Sequence, residues 1–225
     1  MRQVRLNPDA GASPLEPGLE RALAGLAAEA HPDMRVGARA IRPGDEDRLT
    51  PLEAAPLARA TAPVRRASGA ARIVAQRLLG ELGFEGEHDL ARLASGAPAW
   101  PPGFVGSLAH DEAVAVAAVA PAGAMLGVGI DVEPSLPLPA ELLAVVATPA
   151  ERAQLGGDLV AARLLFCMKE AVYKATNPVD GLFLDHQDVE ICLSSHIAAT
   201  QTGRRLRLHV ATAPRLLALT ILERP

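Results

Sequence analysis

Apolar and polar positions alternate along this chain with two periods, and each change of period marks a change of element. Residues 17–30 place Leu19, Leu23 and Leu26 on one side of a helix. Residues 34–41 alternate as a strand, and Pro43-Gly44-Asp45 turns the chain. A second helix is predicted over 63–82, stopped by Gly83. After a Gly/Pro-rich loop at 95–103, Phe104 to His110 leads into an apolar stretch from Ala113 to Ile130. That stretch is about long enough to suggest a membrane span. It contains Pro121, Gly123, Gly127 and Gly129, however, and runs straight into Asp131 and Glu133. A hairpin of two apolar strands about the turn 121–124 explains it better. A proline-rich connector at 134–139 leads to helices predicted over 140–154 and 159–176, the second ended by Asn177-Pro178. Strands predicted at 186–194, 204–212 and 215–223 finish the chain. Helices and strands mix in both halves, so the expected fold class is α+β, with a junction near 121–124.

Composition narrows the function classes. A chain of 225 residues makes one domain or two small ones, with enough apolar residues (49%) to bury a core. Aromatics are only 3%, so aliphatic and alanine packing must fill it. A net charge of −4 argues against general nucleic-acid binding. Two cysteines, Cys167 and Cys192, are too few for a disulfide framework and fit a reducing cytosol. Cys167 lies on an apolar-rich helix and reads as a small hydrophobe. The segment Met1 to Pro8 lacks the apolar stretch of a signal peptide, and the protein is expected to be cytoplasmic.

Positive charge is distributed unusually. Of 22 cationic side chains only two are lysines, Lys169 and Lys174, and both flank Glu170 in one helical segment. Lysine is a compact, strongly hydrated point charge, unlike the planar arginine fork, so the segment is where chemistry is expected. Phe166, Glu170 and Lys174 form an i, i+4, i+8 row, although a Glu–Lys pair at that spacing is also ordinary helix decoration. Upstream, Asp131 and Glu133 are one residue apart at a strand end and project from the same face. Gly127 and Gly129 on that strand allow a ligand or another backbone to come close. Paired carboxylates with oxygen-only ligation suit Mg²⁺ and a phosphate substrate, and Glu170 would supply a third. Residues 54–80 hold no acid and five arginines, Arg59, Arg65, Arg66, Arg72 and Arg77, a basic stripe fit for a polyanionic ligand or an acidic partner.

Trp100-Pro101, Gly106-Ser107-Leu108-Ala109-His110, Val128-Gly129-Ile130-Asp131-Val132-Glu133 and the run from Phe166 through Lys169, Glu170, Tyr173 and Lys174 to Ala175 occur in one order. In that order and spacing the chain resembles the 4′-phosphopantetheinyl transferases, of the monomeric type serving siderophore, peptide and polyketide synthases. The resemblance covers roughly 63–194. It implies two similar α/β subdomains related by pseudo-twofold symmetry, at 1–122 and 123–225, with the cofactor in the cleft between them. It implies that Asp131, Glu133 and Glu170 ligate Mg²⁺, that Lys169 meets the CoA pyrophosphate, and that Lys174 stabilises charge near the transferred group. Arg72 and His110 would face the CoA 3′-phosphate, with Arg65 (or Arg66) and Arg92 as weaker matches at the nucleotide end. The partner would be an apo carrier protein whose serine is modified, with Glu170 or a metal-bound water taking the serine proton. Two departures stand out: Phe166 replaces a tryptophan common among relatives, and Ser68-Gly69-Ala70-Ala71 replaces a bulkier segment. The same residues also suit a Mg²⁺-dependent phosphohydrolase or nucleotidyl transferase, or a non-catalytic module binding CoA or a carrier protein.

Overall fold

Alternation along the strands decides which side chains enter which layer. The computed structural model describes residues 15–86, 88–123 and 125–224. The first sheet holds β1 (Arg35–Ala40), β2 (Phe104–His110) and β3 (Val114–Pro121), antiparallel in the order β1-β3-β2. β3 is buried on both faces, so it reads as a continuous apolar run. Ala117 and Val119 pack toward the long helix α3 (Ala62–Glu81), whereas Val116, Ala118 and Ala120 enter the core shared with the second sheet.

That second sheet is antiparallel and five-stranded, in the order β4 (Met125–Glu133), β8 (Leu216–Glu223), β7 (Arg205–Ala211), β6 (Ile197–Thr200) and β5 (Val189–Cys192). Val128, Ile130 and Val132 of β4 join the inter-sheet core, together with Leu217 and Leu219 of β8. Helix α1 (Leu19–Ala30) seals it with Leu19, Leu23 and Leu26. The opposite face of β4 meets the second long helix, α6 (Leu159–Asp180). The molecule therefore stacks as α3, first sheet, second sheet, α6.

Four sequence expectations change. The stretch 113–130 is two strands, but they do not pair: β3 bonds to β1 and β2, β4 to β8, and the turn between them crosses from sheet to sheet. The helix expected over 140–154 divides into α4 (Leu143–Val146) and α5 (Pro149–Leu155), because Thr148-Pro149 starts a new helix with a capping box. Proline does not end α6 at 177: Pro178 lies in its last turn, and the helix runs on to Gly181, whose φ of 66° and N–H to the Asn177 carbonyl close it. Strand β6 was not anticipated, being only four residues long with a weak pattern. Among the described residues no helix is long and apolar enough to cross a membrane. The segment Met1 to Pro8 lies outside them.

Candidate active site

Two glycines bring the chemistry together. A Cβ on Gly127 would stand 2.1 Å from the Ala175 carbonyl oxygen, and one on Gly129 would stand 1.8 Å from that of Ala171. Strand β4 thus lies directly on the backbone of α6, the close approach its glycines permit. The next two positions on that face, Asp131 and Glu133, are carried against the helix row of Phe166, Glu170 and Lys174. All five line one cavity of about 560 Å³. It extends along β2, past Gly106 to His110, and reaches Ser68 and Arg72 of α3 and Arg92 of the following loop.

Each carboxylate there already holds a cationic or donor group. Lys174 Nζ donates to Asp131 Oδ1 at 2.6 Å, Arg163 to Glu133 Oε2 at 2.6 Å, and His186 Nε2 lies 3.1 Å from Glu170 Oε1. Asp131 is 5% exposed, and its other oxygen, Oδ2, is buried without a hydrogen-bond partner. Burial lifts the Asp131 carboxyl to about 6, assisted by the charges of Glu170 and Glu133 and opposed by Lys174. Burial works against the Lys174 ammonium, but Asp131 and Glu170 hold it above its ordinary value. His110 is lowered by its protein surroundings and by Lys174. Burial, with Asp131 beside it, drives the Cys167 thiol well up, which fits its reading as a hydrophobe.

The three carboxylates share a cavity, but among the described residues no three His, Cys, Asp or Glu side chains are gathered closely enough to hold a metal ion. The donor set nevertheless fits one. It is all oxygen, and a buried carboxylate oxygen without a partner is an unmet demand for a cation or donor.

Other expected residues fall elsewhere. Lys169 does not line this cavity: it is 1% exposed and donates to Glu151 Oε2 (2.6 Å), the Val146 carbonyl (2.9 Å) and the His186 carbonyl (2.7 Å). All three of its N–H groups are committed inside the protein, so the structure does not bring it together with the other expected site residues. The helical period gives the reason, since successive residues on a helix do not share a face and 169 is off the 166/170/174 row. Arg65 donates to the Ala60 carbonyl at 2.5 Å, Arg66 pairs with Glu46, and neither lines the cavity. The basic stripe is largely neutralised from outside its own segment, by Glu46 on Arg66, Glu53 on Arg72 and Glu81 on Arg77. Arg72 does line the cavity while donating to Ser68 Oγ and the Leu90 carbonyl. The small segment before it has a local cause, because a Cβ on Gly69 would stand 2.0 Å from the Asp45 carbonyl oxygen.

Arg163 and His186 were missed from sequence. Arg163 has a visible signal, standing three residues before Phe166 on the same helix face. His186 has none, since its contact with Glu170 comes from a separate loop.

Residues 52–120 match the 4′-phosphopantetheinyl transferase N-terminal domain, and residues 127–219 match the 4′-phosphopantetheinyl transferase superfamily. The chain belongs to that superfamily. It is 41% identical over 164 residues to the 4′-phosphopantetheinyl transferase Svp of Streptomyces mobaraensis, a match covering 70% of this chain and 66% of that protein. It is 40% identical over 166 residues to PptT of Mycobacterium tuberculosis (71% and 72%) and 36% identical over 156 residues to Npt of Nocardia iowensis (68% and 70%), both also named 4′-phosphopantetheinyl transferases.

Proposed function

We propose that this chain transfers the 4′-phosphopantetheine group of coenzyme A to a serine hydroxyl of an apo carrier protein, releasing 3′,5′-ADP. The observation carrying this reading is the convergence of Asp131, Glu133, Glu170 and Lys174 on one cavity wall, in a chain of this superfamily. Asp131, Glu133 and Glu170 would hold Mg²⁺, which when bound neutralises pyrophosphate charge and polarises the bond that breaks. Lys174 sets an ammonium beside them, where charge accumulates during phosphoryl-type transfer. His110, Arg92 and Arg72 line the far part of the cavity and suit the 3′-phosphate end of coenzyme A. Glu170, held below its ordinary value by the His186 hydrogen bond and Lys174 against the effect of burial, is ionised and able to accept the serine proton. No protein nucleophile is required, because the attacking hydroxyl belongs to the carrier.

The protein would act as a cytoplasmic monomer in the service of siderophore, peptide or polyketide synthases, built as subdomains 1–122 and 123–225. Intact-mass measurement of an apo carrier protein incubated with enzyme, CoA and Mg²⁺ is expected to show one added phosphopantetheine. Asp131→Ala, folded by circular dichroism, is expected to abolish it, since one change removes a ligand and the partner of Lys174. A folded Asp131→Ala protein with near wild-type transfer would overturn the assignment, and release of phosphate without carrier modification would mark a hydrolase.

A further inference from the structure

Lys169 is the most costly group that the proposed reaction leaves unused. It is a fully buried ammonium (1% exposed) against a fully buried carboxylate, Glu151 (0%). Such a pair is retained only when its remaining hydrogen-bonding capacity is met, because desolvation costs several kcal/mol per ion. Here it is met. Glu151 Oε2 accepts from Lys169 Nζ at 2.6 Å and from the Thr148 N–H at 2.8 Å, and its Oε1 accepts from the Ile191 N–H at 2.7 Å. Lys169 adds the Val146 and His186 carbonyls.

The other half of the molecule carries the same motif. Thr50-Pro51-Leu52-Glu53, at the start of the short helix α2 (Pro51–Ala54), forms a capping box like Thr148-Pro149-Ala150-Glu151, and Glu53 is likewise buried. Glu53 accepts from the Leu90 N–H at 2.9 Å and stands 3.3 Å from Arg72 of the long helix α3. In that half the helix cation reaches the cavity wall itself, whereas Lys169 stops short of it. Its bond to the His186 carbonyl supplies the missing link. The His186 ring lies against Phe166, with centroids 5.3 Å apart and planes at 30°, and its Nε2 reaches Glu170 Oε1. Neighbouring residues on α6 thus grip one histidine from two sides, Lys169 by its carbonyl and Glu170 by its ring.

We propose that the buried Glu151–Lys169 pair positions His186, and that His186 in turn holds Glu170 with one carboxylate oxygen fixed and the other directed to the cavity. Lys169 and His186 are positioning residues for Glu170, and neither touches coenzyme A. This rests on the role given to Glu170 above. A glutamate without such a partner has to be ordered when its ligand binds, and loss of a partner that orients a metal ligand typically costs about 10- to 100-fold in metal affinity or activity.

The test uses the full chain and Mn²⁺ as probe, with binding followed by electron paramagnetic resonance alongside kcat and KM for CoA. His186→Ala removes no buried charge and is expected to unfold near the wild-type temperature. It should bind Mn²⁺ about tenfold more weakly and lose a similar factor in kcat, with KM for CoA little changed. His186→Gln, whose amide can donate to Glu170, should recover most of both. In a Glu170→Gln background, His186→Ala should add no further loss. The double variant Glu151→Gln/Lys169→Met, which removes both charges together, should show the same Mn²⁺ defect. If wild-type protein transfers the group but His186→Ala matches it in Mn²⁺ affinity and kcat, the positioning role is wrong and the proposed function stands. If wild-type protein gives no Mn²⁺- or Mg²⁺-dependent transfer, the proposed function itself fails.

Discussion

At the scale of single residues, the Asp131–Lys174 contact governs how the site responds to pH. Burial raises the Asp131 carboxyl to about 6, against about 4 for an ordinary aspartate. A carboxylic acid raised in this way favours its neutral form, so the penalty for binding a cation falls on the acid side. Metal affinity is expected to be nearly constant above neutrality and to fall about tenfold per pH unit below the Asp131 titration. Mn²⁺ titrations between about pH 5 and 8 check this, and an affinity independent of pH would remove Asp131 from the ligand set. The Lys174 ammonium donates to Asp131 at 2.6 Å and to the Ile130 carbonyl at 3.4 Å, a compact arrangement that a planar fork cannot reproduce. Lys174→Arg, which preserves charge, is expected to lose on the order of a hundredfold in kcat through misplacement alone. Steady-state kinetics with one carrier protein decide it, and a fully active variant would show that charge suffices. Asp131, Glu133, Glu170 and Lys174 were legible in the sequence because each lies on a periodic face. Lys169 was grouped by chemical type with Lys174, whereas the helix turns the two to different partners, Glu151 and Asp131.

Among elements, the contact between β4 and α6 sets the geometry of the site. No side chain intervenes at Gly127 or Gly129, so the strand's carboxylates are placed by backbone against backbone. Even Ala at Gly129 would meet the Ala171 carbonyl at 1.8 Å, with neither partner able to rotate away. Gly129→Ala is therefore expected to destabilise the protein by about 3 kcal/mol or more and to abolish transfer by displacing Asp131. Chemical denaturation of the variant measures the first effect, and a loss under 1 kcal/mol would contradict the close approach. The sequence displayed both glycines and left open whether a ligand or a backbone filled the space. The pairing of β3 and β4 was not legible. Two apolar strands joined by a short turn have the pattern of a hairpin whether they pair with each other or leave for different sheets. The two capping boxes were in plain view as Thr-Pro-x-Glu, but their glutamates bond to backbone N–H groups 37 and 40 residues away, which no local pattern reports.

For the whole molecule, the two halves share one of their apolar clusters while the cavity opens across both. Leu19, Leu23 and Leu26 of α1, Val116 and Ala118 of β3, Val128 and Ile130 of β4, and Leu217 and Leu219 of β8 form a single buried cluster. Arg215, next to β8, ties the halves again by pairing with Glu16 at 2.9 Å and with Asp111, the neighbour of His110. A division at 122/123 would fall between β3 and β4 and would cut through that cluster. Each fragment alone would expose apolar side chains that the other half covers in the full chain. Residues 1–122 and 123–225 expressed separately are therefore expected to lack cooperative unfolding and dispersed amide resonances. The full chain should instead unfold in one transition, because the shared cluster couples its halves. Mixing the fragments should restore a folded complex, because the surface each exposes is complementary to the other. A fragment that folds cooperatively by itself would show that its half owns a sufficient core, and that the cavity lies between independent domains instead of across one.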